Sequence, residues 1–202
     1  MALGPVIPVM VIERTEDAVP LAQALVAGGI KVLEITLRTP NALDAISAIA
    51  RQVPDAVLAA GTVTTPEQWD AAARAGARFA VSPGLTPRLL DAAASAPIPL
   101  LPGVATASEL MTAMDAGFEC FKFFPAQQAG GVGMLKAWGG PFASPIFCPT
   151  GGISSDNARD YLALPNVACV GGSWLTPTAA LQAGDWAAIT ALAQAASALR
   201  QK

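Results

Sequence analysis

The chain contains no histidine. That absence excludes every Ser-His-Asp and Cys-His nucleophilic mechanism, and every zinc site built on imidazole. Charge is scarce as well: Asp, Glu, Lys and Arg together make up 13% of the 202 residues. Lys plus Arg is 12 and Asp plus Glu is 15, a formal net charge of -3. No basic excess exists to neutralise a phosphate backbone, so no nucleic-acid partner is expected. Cysteine is limited to Cys120, Cys148 and Cys169, an odd set spaced 28 and 21 residues apart, which fits no metal motif. Each lies in an apolar run and reads as a small core residue in a reducing compartment. No stretch of about 18 apolar residues is free of Gly, Pro or charge, so no membrane span is expected. The opening Met1-Ala2-Leu3-Gly4-Pro5 lacks the basic and then apolar pattern of a secretory leader, and a cytoplasmic protein is expected.

What the chain does have is apolar content, 53% of its residues, enough to exclude disorder and to bury a sizeable core. Short β-type apolar runs begin near Val6, Lys31, Ala56, Phe79, Ile98, Phe118, Ile146 and Val167, and Ala- and Leu-rich helical stretches separate them. Eight units share the length at about 25 residues each, room for one strand, one helix and two short loops. The first helix is expected over Glu16–Ala27 and the last over Asp185–Leu199. Thr65-Pro66-Glu67-Gln68 and Thr106-Ala107-Ser108-Glu109 read as helix starts with capping boxes. Gly28-Gly29 and Gly76 follow helical runs, where a C-cap needs a positive φ.

Consecutive strand–helix units imply a parallel sheet. Eight of them predict an α/β protein, a single-domain (β/α)8 TIM barrel over residues 1–202. An open doubly wound sheet is the competing architecture. No Gly-x-Gly-x-x-Gly follows the first strand, which argues against its dinucleotide-binding version.

Two strands carry charge where a barrel interior would be. In Lys31–Arg38, Leu33, Ile35 and Leu37 share one face, while Glu34, Thr36 and Arg38 share the other, which points inward. A carboxylate there is costly unless compensated. The bland explanation is a buried Glu34–Arg38 ion pair. The functional one is preferred, because strand C-terminal ends carry the chemistry of this fold. In Phe118–Pro125, Cys120, Lys122 and Phe124 share one face and Phe121 and Phe123 the other. Lys122 alone among the four lysines sits in an aromatic run. Burial favours the neutral amine, and a neutral amine attacks ketones to form Schiff bases. A snorkelling strand-edge lysine is the alternative.

The seventh and eighth strands end in Thr150-Gly151-Gly152 and Gly171-Gly172-Ser173. Barrels often bind phosphate with these two loops, where glycine lets backbone N–H groups approach an anion and the Ser173 hydroxyl adds a donor. Thr62, after Ala59-Ala60-Gly61, can donate to a substrate carboxylate or ketone, or simply cap its turn.

Leu33-Glu34-Ile35-Thr36-Leu37-Arg38-Thr39, Ala60-Gly61-Thr62-Val63, Ser82-Pro83-Gly84-Leu85, Phe121-Lys122-Phe123-Phe124-Pro125-Ala126, Pro149-Thr150-Gly151-Gly152-Ile153 and Gly171-Gly172-Ser173-Trp174 occur in that order. Together they resemble the 2-keto-3-deoxy-6-phosphogluconate (KDPG) and 4-hydroxy-2-oxoglutarate (KHG) aldolase family, over nearly the whole chain. The resemblance implies a class I aldolase, a homotrimer of (β/α)8 barrels needing neither metal nor cofactor. It implies Lys122 as the Schiff-base residue and Glu34 as general acid/base. Arg38 and Thr62 would hold the pyruvyl portion, with Pro83 and Phe124 lining the pocket. Gly151, Gly152 and Ser173 would bind the phosphate. Thr150, where galactonate-type relatives carry Val, points to a phosphogluconate substrate. The implied partners are a phosphorylated keto acid and pyruvate. Two departures stand out: only three residues precede Gly4-Pro5-Val6, and Gln127 stands where relatives often carry Glu. Two competing functions remain at this stage. One is another phosphate-binding enzyme of the same barrel, such as an epimerase or synthase; the other is a non-catalytic binding barrel.

Overall fold

The structure is a computed structural model that describes residues 3–199; Met1, Ala2 and the lysine at 202 lie outside the described residues. The strands are β1 (Val6–Met10), β2 (Val32–Thr36), β3 (Val57–Gly61), β4 (Phe79–Val81), β5 (Leu100–Leu101), β6 (Gly103–Val104), β7 (Cys120–Phe123), β8 (Ile146–Pro149) and β9 (Val170–Gly172). The helices are α1 (Thr15–Ala27), α2 (Ala42–Gln52), α3 (Pro66–Ala75), α4 (Pro87–Ala93), α5 (Ala107–Asp115), α6 (Gly131–Trp138), α7 (Ala158–Leu162), α8 (Thr178–Ala183) and α9 (Trp186–Ser197).

All strand pairs are parallel, in the orders β5-β4-β3-β2-β1-β9 and β6-β7-β8. Both gaps between the two sheets are bridged by the chain itself. Pro102 separates β5 from β6, because it has no N–H to continue a ladder. Leu101 still accepts from Ser82 N on one side (3.2 Å), and Pro102 O accepts from Lys122 N on the other (2.8 Å). The Ser82 hydroxyl then accepts from Gly103 N at 3.4 Å. At the other gap, Phe147 pairs with Val167 and Thr150 with Gly171. The (β/α)8 barrel is therefore closed, with the fifth expected strand kinked into two pieces.

Alternation sorts the side chains into two cores. Ile7, Val32, Ala59, Val81, Leu101, Cys148 and Cys169 fill the barrel interior. The larger core, including Leu33, Ile35, Phe121 and Phe123, lies between strands and helices. The helix punctuation holds in substance. Thr65 Oγ1 accepts from Gln68 N and starts α3, although Gln68 Oε1 reaches back to Thr64 N. Thr106 and Glu109 form both halves of a capping box on α5. At the end of α1 the left-handed residue is Gly29 (φ 90), not Gly28. Gly28 is small because α9 presses on it: a Cβ there would lie 2.3 Å from Ala193 Cβ.

Candidate active site

β2 supplies the carboxylate. Leu33 and Ile35 are buried in the outer layer, so Glu34 and Thr36 point into the barrel. The strand stops at Thr36, two residues short of the sequence expectation, and Leu37 and Arg38 lie in the turn that follows. Arg38 is exposed at the rim, where its Nε donates to Thr36 Oγ1 (3.1 Å) and that hydroxyl donates to Met10 O (2.8 Å). The Glu34–Arg38 ion pair of the bland reading is absent among the described residues.

β7 supplies the amine. Phe121 packs on Phe147 at 5.9 Å between ring centroids, and Phe123 meets Trp138 edge-on at 5.3 Å. With both aromatics held in the outer layer, Lys122 is driven inward. Its Nζ donates to Glu34 Oε1 at 3.2 Å, a contact between residues 88 apart in the chain. Glu34 is 4% exposed and Lys122 5%. The Phe124 ring lies 5.3 Å from Nζ, and the Phe124–Pro125 peptide is cis.

The surrounding backbone is shaped to this pair. A Cβ at Gly61 would lie 2.3 Å from Glu34 Oε1, so the end of β3 can carry no side chain there. Thr62 follows with φ 60, the one positive-φ residue other than glycine among the described residues. A β-branched residue in that region stores roughly 1–3 kcal/mol of strain, a feature concentrated at functional sites. Neighbouring bonds hold it: Leu37 N donates to Gly61 O (2.8 Å) and Val63 N to Val81 O (3.1 Å). The Pro83 backbone is pressed against β6, where a Cβ on Gly103 would come within 2.3 Å of it.

The glycine loops sit beside one another at the same end of the barrel. Thr150 is buried, its hydroxyl donating to Cys148 O (3.4 Å), and a Cβ at Gly171 would strike that hydroxyl at 2.3 Å. Gly151 and Gly152 both have positive φ, 100 and 74. Ser173 is exposed just beyond β9 and, with Arg38 and Val9, lines a cavity of about 750 Å³. The residues expected to act together thus occupy two adjoining places: Lys122, Glu34 and Phe124 at the barrel axis, Arg38 and Ser173 at the rim.

A buried amine touching a carboxylate, with glycine loops at the mouth, suits imine chemistry on a small anionic ketone. The family model for KDPG and KHG aldolase matches residues 1–192. The chain belongs to this family. As an aldolase it is a carbon–carbon lyase. The KHG/KDPG aldolase of Escherichia coli (strain K12) is 58% identical over 97% of this chain and 92% of its own length. A KDPG aldolase of Legionella pneumophila, with pyruvate captured at low pH as a covalent carbinolamine intermediate, is 55% identical. It superposes with a TM-score of 0.95, covering 98% of this chain and 96% of that one. The 2-keto-3-deoxy-6-phosphogluconate aldolase of Zymomonas mobilis ZM4, with 3-phosphoglycerate, is 50% identical at a TM-score of 0.93, covering 99% and 94%.

Sequence reasoning missed three features of the aldolase. Gly61 is part of the Glu34 setting, a close approach that no sequence pattern announces. Gln127, noted only as a departure, accepts from Tyr161 OH at 2.9 Å and so ties the segment after β7 to α7. The third miss is a correction: Cys120 is exposed, because it begins β7 at the end of the barrel remote from the glycine loops. Partial desolvation there, with the Glu119 charge, still raises its thiol above the ordinary cysteine value. Cys148 and Cys169 are buried as expected. Their mutual hydrogen bond, then burial, holds the Cys169 thiol well above that value.

Proposed function

We propose that this aldolase cleaves 2-keto-3-deoxy-6-phosphogluconate to pyruvate and glyceraldehyde 3-phosphate through a Schiff base on Lys122. It also cleaves 4-hydroxy-2-oxoglutarate to pyruvate and glyoxylate. The observation that carries the reading is the buried 3.2 Å contact of Lys122 Nζ with Glu34 Oε1. The pyruvate carbinolamine of the Legionella relative and the double name of the Escherichia relative support it.

Glu34 takes a proton from the Lys122 ammonium across that contact and frees the nitrogen lone pair. The amine attacks the substrate C2 ketone. The resulting carbinolamine loses water, with Glu34 returning the proton to the departing hydroxide, and a protonated Schiff base remains. This cation is the electron sink. Glu34, again a carboxylate, accepts the proton of the C4 hydroxyl through one water. The C3–C4 bond breaks, its electrons pass into the iminium to give an enamine, and the aldehyde departs. Glu34 then protonates C3, and water hydrolyses the imine to pyruvate and Lys122. In a site without imidazole, one carboxylate serves every proton transfer.

Arg38 and Thr62 hold the substrate carboxylate and ketone, Arg38 from the rim with a forked donor. Pro83 and Phe124 wall the pyruvyl pocket, and Thr150 sits beneath the phosphate end. Gly151, Gly152 and Ser173 bind the phosphate itself; the 3-phosphoglycerate of the Zymomonas relative supports a phosphorylated three-carbon fragment at such a site. The chain acts as one domain, a cytoplasmic homotrimer. Among the described residues, no helix is long and apolar enough to cross a membrane.

The test is Glu34→Gln. Turnover of KDPG should fall by at least about 100-fold, the usual weight of a general base. Pyruvate should still be trapped in part by borohydride, because the amine remains. Near-normal turnover of the variant would show that another group moves the protons.

A further inference from the structure

The turn after β8 has three consecutive carbonyls anchored. Thr150 O accepts from Ala126 N at 2.8 Å and Gly151 O from Gln127 N at 3.0 Å. Gly152 O accepts from Asn157 Nδ2 at 2.9 Å. These peptides are trans. In a trans peptide the C=O and the following N–H point in opposite directions. Anchoring the three carbonyls therefore directs the N–H groups of Gly151, Gly152 and Ile153 away from the anchors. The Gly151 N–H faces β9 in the Thr150–Gly171 bridge, whereas among the described residues the Gly152 and Ile153 N–H groups donate to no protein acceptor. Unpaired backbone donors beside the barrel mouth call for an acceptor from outside the chain.

Two of the anchors are backbone N–H groups of the segment after β7, which side-chain truncation leaves in place. The third is a side chain, and it is fully committed. Asn157 Oδ1 accepts from Ser154 N at 2.9 Å while Nδ2 donates to Gly152 O, so both ends of the amide grip the same turn. The turn packs closely on the segment after β7, where a Cβ on Gly152 would lie 2.5 Å from Gln127 Cβ.

We infer that Asn157 is a positioning residue for the phosphate end of the substrate. It acts by clamping the Gly152 carbonyl, so that the Gly152 and Ile153 N–H groups stay directed at the anion. The inference rests on the reading of this turn as the phosphate site.

The test compares a phosphorylated substrate, KDPG, with an unphosphorylated one, KHG, and uses inorganic phosphate as a competitor. Asn157→Ala should raise KM for KDPG and weaken phosphate inhibition by about tenfold, the weight of one hydrogen bond to a charged group. Its kcat on KDPG, its kcat/KM on KHG and its trapping of pyruvate should stay within about twofold of the parent. Asn157→Asp should lose more on KDPG alone, because it sets a carboxylate against the Gly152 carbonyl and near the phosphate. Equal losses on both substrates would reduce Asn157 to a structural role and overturn the inference. Unchanged KM and phosphate inhibition in Asn157→Ala, with clear competition in the parent, would overturn it alone. A parent that inorganic phosphate does not inhibit would overturn the phosphate reading and this inference together.

Discussion

A lysine and a glutamate in contact inside an apolar barrel are an expensive way to fill space. Each loses its hydration, and the pair recovers that cost only with good geometry, so hydrophobic residues of similar volume often do as well. Glu34 and Lys122 make a single contact at 3.2 Å, and the amine also faces the Phe124 ring. Such an arrangement is better explained by reactivity than by stability. Alternation alone made the inward direction of both residues legible, because Leu33, Ile35, Phe121 and Phe123 had to face the helices. What alternation could not supply was the partner. Arg38 is near in sequence, but β2 ends at Thr36, and the side chain beyond it belongs to the rim. The contact that matters spans 88 residues and follows from barrel closure, which no local pattern contains. Gly61 was equally hidden, since its role is the space it leaves. Gly61→Ala should push the Glu34 carboxylate away from its present place. A displacement of that order costs about 100-fold in kcat/KM. Steady-state assay checks it, and unchanged turnover would mean that the carboxylate position is not critical.

At the scale of elements, the helix starts were the most legible features. Thr65 and Thr106, expected as helix starts, each accept a backbone N–H three residues on; Thr86 and Asp185, not anticipated as caps, do the same. Asp185 caps α9 from outside, which trims the expected last helix to Trp186–Ser197. The short α8, inserted after the Ser173 loop, was not anticipated, because it has no residue in the buried core to give it a periodic signature. The kink at Pro102 was missed for a related reason: a proline within a run of strand-forming residues demotes the strand, yet here it marks where hydrogen bonding passes from β4 to β7. The capping box of α5 offers a clean element-scale check. Thr106→Ala should cost about 1 kcal/mol of stability in denaturant unfolding and leave turnover alone. A stability equal to the parent's would show that Glu109, which accepts from Ala105 N and Thr106 N, holds the helix start by itself.

At the scale of the whole molecule, the candidate site residues gather at one end of the barrel and the opposite end carries the exposed Cys120. That polarity can be read with thiol reagents. Of the three cysteines, only Cys120 should react in the folded protein, and all three after denaturation. Because the Cys120 thiol titrates above the ordinary cysteine value, its thiolate fraction at mildly alkaline pH is lower than that of a free cysteine. Its alkylation rate should therefore keep climbing at a pH where a free cysteine levels off. Reaction of Cys148 or Cys169 in the folded state would contradict the packing of the barrel interior. The eight-unit barrel was legible from the count of alternating segments, and the family from six motifs in order. The division of the candidate site into an axial amine–carboxylate pair and a rim of Arg38, Ser173 and the glycine loops needed the closed structure.

The central claim is that Lys122 is the nucleophile. The most direct measurement is borohydride reduction in the presence of pyruvate, followed by intact mass and peptide mapping. A single reduced pyruvyl adduct on Lys122, lost in Lys122→Met, is the expected result. A folded protein that forms no adduct on any lysine with pyruvate in excess would contradict it.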